Sequence, residues 1–140
     1  MKLFLCQRNI VVLLGLVVPA MLLGCSSSKR QSIEGTVTFK GEKVQKGSIN
    51  FEPIKGTGGP PAGAPIEDGH FSIPKEKGVF VGNFKVTIEA WKKTGKKVRD
   101  VEGHLGEEEA QYIPAKYNKE STLTKEIKIG SNDLNFELTP

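Results

Sequence analysis

The sequence predicts an all-β fold, a small antiparallel β-sandwich of about seven strands. Three observations predict it. Apolar residues recur at every second position through residues 33–138, glycine-containing turn signals separate the runs, and nothing after residue 25 carries a helical period of comparable quality.

The strands follow in order. Ile33, Val37 and Phe39 alternate with Glu34, Thr36 and Thr38, and Gly41-Glu42 marks a turn. Ile49 and Phe51 then alternate with Ser48, Asn50 and Glu52, and residues 64–67 form a short further strand. Asp68-Gly69 precedes Phe71 and Ile73 and predicts a tight hairpin, since both central positions of such a turn need positive φ. Phe84, Val86, Ile88 and Ala90 make the longest clean alternation. Leu123, Ile127 and Ile129 lead to Gly130, and Leu134, Phe136 and Leu138 finish the chain. Lys125 interrupts this pattern, so either it snorkels at a sheet edge or a bulge shifts the register. Such strands are marginal singly, and two facing sheets would bury their apolar sides together.

Ahead of this domain the chain has another character. Lys2 and Arg8 precede an uncharged run over residues 10–24, and small Gly24 stands before Cys25. That is the layout of a signal peptide. A membrane-crossing helix is the competing reading, but it needs about 20 apolar residues, and this shorter run also contains Gly15 and Pro19. Leu22-Leu23-Gly24-Cys25 resembles the lipobox of bacterial lipoproteins. The resemblance implies cleavage between Gly24 and Cys25, a diacylglycerol on the Cys25 sulfur, and a mature chain that starts at Cys25. Two or three acyl chains hold a protein stably where one holds it marginally. The expected organisation is a signal peptide over residues 1–24, a lipidated cysteine with a flexible tether over 25–31, and a sandwich domain over 32–140.

This reading changes the arithmetic of charge and sulfur. Cys6 leaves with the signal peptide and Cys25 is consumed by lipid, which excludes disulfide stapling, thiolate catalysis and Cys-based metal sites. Without Lys2 and Arg8 there remain 18 basic and 16 acidic residues, a formal +2 where the full chain has +4. So weak a charge makes nucleic acid a poor partner.

Gly35-Thr36-Val37-Thr38-Phe39 with Gly41 and Val44, then Ile49-Asn50-Phe51, Glu67-Asp68-Gly69-His70-Phe71 and Gly82-Asn83-Phe84-Lys85-Val86-Thr87-Ile88, resembles the carboxypeptidase regulatory-like domain. Ile113-Pro114-Ala115-Lys116-Tyr117-Asn118 is similar to a segment of small lipoproteins that carry this domain, common in planctomycete-type bacteria. The resemblance implies a transthyretin-like (prealbumin-like) sandwich and brings no active site. One transthyretin relative hydrolyses 5-hydroxyisourate with a C-terminal Tyr-Arg-Gly-Ser; this chain ends Phe136-Glu137-Leu138-Thr139-Pro140, so that activity is not carried over.

Candidate chemistry is sparse. A serine nucleophile needs a positioned base and a third group, yet His70 sits in a tight hairpin, turned outward by parity, and no Gly-x-Ser-x-Gly occurs. Asp100, Glu102 and His104 share one face of an extended segment and are weak candidates for a divalent ion. The simpler reading pairs their stretch internally, because Lys92, Lys93, Lys96, Lys97 and Arg99 precede five acids ending at Glu109. Residues 92–112 are expected to be a long connection, folded back as a charge-paired flap, and connections beyond about 12 to 15 residues are usually functional or disordered. Trp91 opens it and Tyr112 closes it, and the two are the candidate ligand-binding residues. Trp91, off the core face by parity with Ala90, is a candidate for stacking on a sugar ring or a partner chain, or for cover by the flap. The glycine-rich loop over 55–65 lacks the helix and Lys-Ser or Lys-Thr pair of a phosphate cradle and reads as a mobile connector or as a surface that could dock a partner.

The sequence therefore points to a non-enzymatic lipoprotein of the cell envelope, lipid-anchored to a bacterial membrane at the outer membrane or the periplasmic face. No cofactor is expected. Its partner would be an envelope protein or polysaccharide, and the alternative is a carbohydrate- or peptide-binding module built on Trp91 and the 92–112 loop.

Overall fold

The computed structural model describes residues 30–140. The expected signal peptide with Gly24, the lipidation candidate Cys25 and residues 26–29 of the expected tether lie outside the described residues. Within them are nine strands: β1 (Ile33–Phe39), β2 (Glu42–Lys43), β3 (Lys46–Pro53), β4 (Ala62–Glu67), β5 (His70–Ile73), β6 (Gly82–Arg99), β7 (Leu105–Gln111), β8 (Thr124–Ile127) and β9 (Asn132–Leu138). Helical structure among the described residues is limited to two short 3-10 turns, Lys75–Lys77 and Ala115–Tyr117. No helix there is long and apolar enough to cross a membrane.

The nine strands replace the expected seven, and they form one connected ladder folded into a small sandwich. In one layer β1 pairs with β5 and β9, with β2 beside its far end. In the other, β4, β3, β6 and β8 lie side by side. The layers join at a corner where β4 and β5 share a single pair, Glu67 with His70. That corner is the expected tight turn, with Asp68 at φ 49° and Gly69 at φ 78°. The first turn sits one residue earlier than expected, at Lys40 and Gly41 (φ 55° and 81°), with Phe39 facing Glu42. Pairing is antiparallel except between β1 and β9, which run parallel. The expected antiparallel sandwich forms, with one parallel pair between its first and last strands.

Alternation buries one side of each layer. Ile33, Val37, Phe71, Ile73, Phe136 and Leu138 meet Ile49, Phe51, Ile66, Phe84, Val86 and Ile88 in one core cluster. The Phe71 ring centroid lies 6.2 Å from that of Phe51 in the opposite layer and 6.0 Å from that of Phe136. Lys125 shares the inward face of β8 with buried Ile127, half-buried, its ammonium 5.4 Å from the Phe136 centroid. It snorkels, and no bulge occurs in its pairing. Ile129 departs from the expected alternation: β8 stops at Ile127 and Ile129 is 86% exposed.

The ends of the sandwich differ. Arg30 and Gln31, read as tether, are held by it: the Arg30 guanidinium donates to the Gly78 carbonyl at 2.7 Å, and the Gln31 N–H donates to the Val79 carbonyl at 2.7 Å. The pairs Ile33 with Ile73, Pro53 with Phe84 and Gly82 with Ile127 bring the loops over 54–61, 74–81 and 128–131 to this same end. The glycine-rich loop is pinned there, since the Asn83 N–H donates to Thr57 Oγ1 at 2.9 Å. β6 starts at this Arg30 end, traverses the sandwich as far as Ala90, about 30 Å, and leaves at the opposite end.

Candidate interaction site on the projecting hairpin

Beyond Ala90 the 18-residue β6 continues as one side of a hairpin whose other side is β7. The expected 21-residue connection is thus mostly paired strand, with its two halves folded back on each other. Trp91 faces Gln111, Lys92 faces Ala110 and Lys93 faces Glu109. The register then shifts between Lys93 and Lys97 around Gly95, at φ 81°. Glycine accommodates the bulge without the strain a side chain would meet there.

Charge and hydrogen bonding hold the hairpin. Lys93 pairs with Glu107 at 3.1 Å and Lys96 with Glu108 at 3.4 Å, while Thr94 Oγ1 donates to Glu108 at 3.2 Å. Lys46 on β3 approaches Glu109 at 3.9 Å. These pairs are exposed and contribute about 0–1 kcal/mol each. None of the residues from Trp91 to Gln111 belongs to the core cluster. Replacing residues 92–110 with a two-residue Asn-Gly turn is therefore expected to shift the melting temperature by less than about 5 °C. Calorimetry checks this, and a collapse of the melt would show that the hairpin supports the sandwich.

At its tip the hairpin exposes Val101 fully and Leu105 at 64%. Asp100 Oδ1 accepts the N–H groups of Glu102 and His104, each at 2.9 Å, and its Oδ2 lies 3.3 Å from His104 Nδ1. Glu102 Oε2 is 3.7 Å from the same ring nitrogen. The structure thus brings the three candidate ligands together, but the Asp100 carboxylate serves the backbone of its own turn. Among the described residues no three His, Cys, Asp or Glu side chains are placed to hold one ion. The His104 N–H above all keeps the Asp100 carboxyl below its ordinary pKa of 3.8. A lowered folded pKa means the turn is favoured above the unfolded value and loosens as pH falls through the folded one. The hydrogen-bonded shift of the Glu102 amide proton is accordingly expected to persist in an NMR titration to below the ordinary carboxyl pKa of 3.8. In Asp100→Ala it should be absent at every pH.

The two aromatic candidates do not form one platform. The Tyr112 N–H donates to the Ala90 carbonyl at 3.1 Å, which carries the pairing one step past Trp91 and Gln111. Tyr112 consequently shares the inward side of Ala90, half-buried against the core, with its ring edge-on to Phe39 at 5.9 Å and the Lys92 ammonium 5.5 Å from its centroid. Burial pushes its hydroxyl pKa up, and the charge of Glu42 adds to this. Trp91 lies on the outer side and is 37% exposed. The hairpin extends past it and leaves it partly open.

No family model matches the chain, and neither a curated protein nor a solved structure matches it.

A second concave surface escaped the sequence reading. The outward residues of β1, β5 and β9, with the end of β4, line a groove of about 600 Å³ that gathers Glu34, Glu67, His70 and Asp133. Its floor includes the 2.6 Å hydrogen bond from Thr36 Oγ1 to Asn135 Oδ1. Strand parity alone turns each of these side chains outward; only the pairing of β1 with the last strand collects them.

Proposed function

We propose that this chain is a non-enzymatic cell-envelope lipoprotein, anchored through Cys25, whose sandwich is a base for the projecting hairpin that contacts another envelope component. One observation carries the reading: the hairpin adds nothing to the core, leaves the end of the sandwich opposite Arg30, and exposes Val101 and Leu105 at its tip. Large apolar side chains kept in water on an otherwise charged element are characteristic of contact sites. The lipobox resemblance of residues 22–25 and the likeness to lipoproteins with a carboxypeptidase regulatory-like domain support the same reading. The tip would stand two strand lengths, about 60 Å, from the anchored end.

A photo-crosslinking residue at position 101 is expected to trap a discrete adduct in intact cells, lost when Leu105 becomes serine. An adduct pattern indifferent to the tip would overturn the contact role. The partial exposure of Trp91 favours polysaccharide or peptide binding as the second reading. It requires saturable stabilisation by an envelope polysaccharide that Trp91→Ala abolishes. For the anchor, Cys25→Ala is expected to move the protein out of the membrane fraction or leave it unprocessed. Unchanged fractionation at mature mass would refute lipidation.

A further inference from the structure

We infer that the Arg30 end of the sandwich is a lipid-facing surface that rests on anionic headgroups, an inference that builds on the anchoring proposed at Cys25. Charge is the first argument. The loops over 54–61, 74–81 and 128–131, with Arg30, carry Lys55, Lys75, Lys77 and Lys128 against one acid, Glu76. Glu126, just before the last of these loops, lies 3.8 Å from Lys128, so five cations stand against two acids at this end, whereas the five cations of the hairpin precede five acids. Cations gathered within a Debye length of an anionic leaflet are each attracted to it.

Apolar exposure is the second argument. Among the described residues six large apolar side chains are exposed: Trp91, Val101 and Leu105 belong to the hairpin, and Ile54, Val81 and Ile129 to this end. Apolar tips ringed by lysines suit the boundary between headgroups and acyl chains, where apolar burial and attraction to anionic lipid act together.

The third argument is reach. Since Arg30 and Gln31 are bound to the sandwich, only the steps from Cys25 to Arg30 remain as tether, which span about 17 Å when fully extended. A lipid held at Cys25 would keep this end, and no other, beside the headgroups.

The test uses a chain starting at Ser26, which retains every strand and the whole core described above and has no lipid. On vesicles of phosphatidylglycerol and phosphatidylcholine it is expected to partition at least tenfold more strongly than on phosphatidylcholine alone. The triple variant Lys55→Glu, Lys77→Glu, Lys128→Glu should lose that preference at an unchanged melting temperature. A fluorophore on Ile129→Cys should be quenched by spin-labelled lipid, whereas one on Val101→Cys should not. Equal partitioning on both vesicles, wild-type binding by the triple variant, or quenching at position 101 in place of 129 overturns the inference. With the anchor absent, these outcomes are independent of the Cys25→Ala fractionation, so failure of anchoring and failure of the lipid-facing surface register in different experiments.

Discussion

Phe51→Ala is expected to lower the unfolding free energy by about 3–5 kcal/mol, the range for truncating a fully buried phenylalanine. Phe51 has no exposed surface, and its ring meets Phe71, which in turn meets Phe136, so the loss opens a cavity where the two layers touch. A domain of this size has only about 5–15 kcal/mol in total. The melting temperature should fall by about 15 °C or more, and denaturant titration should show a lower midpoint at similar slope. Phe51→Leu, which refills most of the volume, should lose less than half as much. A loss below about 1 kcal/mol in Phe51→Ala would mean that the layers do not meet at this ring.

Gly35→Ala is expected to be comparably damaging, although it adds a single methyl group. Gly35 lies in β1 opposite Leu134 of β9, and a Cβ there would stand 1.8 Å from the Leu134 carbonyl oxygen and 2.7 Å from its carbon. Both are backbone atoms, so no side-chain rotation relieves the clash. The strands must separate, and β9 then withdraws Phe136 and Leu138 from the core. Overpacking costs about 1–3 kcal/mol where a core can adjust, and the upper end or beyond applies where main chain meets main chain. Hydrogen exchange should quicken first at the β9 amides. A wild-type melt for Gly35→Ala would refute the close pairing of β1 with β9.

What the sequence made legible follows from what the strands bury. Period-two alternation arises only where one face is apolar and the other wet, so β1, β3, β5, β9 and the first half of β6 could be read directly. β7, Leu-Gly-Glu-Glu-Glu-Ala-Gln, could not, because neither of its faces enters the core and the pattern has no cause there. Its only signal was the matched charge of residues 92–109, which correctly indicated two halves folded together. β2, with two residues, is too short to carry a period. The separation of Trp91 from Tyr112 depends on the Trp91–Gln111 register, which no local pattern specifies. Likewise the groove near His70 exists because β9 pairs with β1, a contact between residues about a hundred positions apart.

That last pairing has a kinetic consequence. Ile33 faces Asn132 and Phe39 faces Leu138, so the first strand of the sandwich is completed by the last. Contacts this distant in sequence form late, because the loop they close must lose its freedom first. A chain still emerging from the ribosome has no β9 to offer, and the exposed edge of β1 cannot be filled from within. The sandwich therefore reaches its final state only once β9 has been made. Under the export proposed above, delayed closure would keep the chain in a transportable, extended form until β9 has been made.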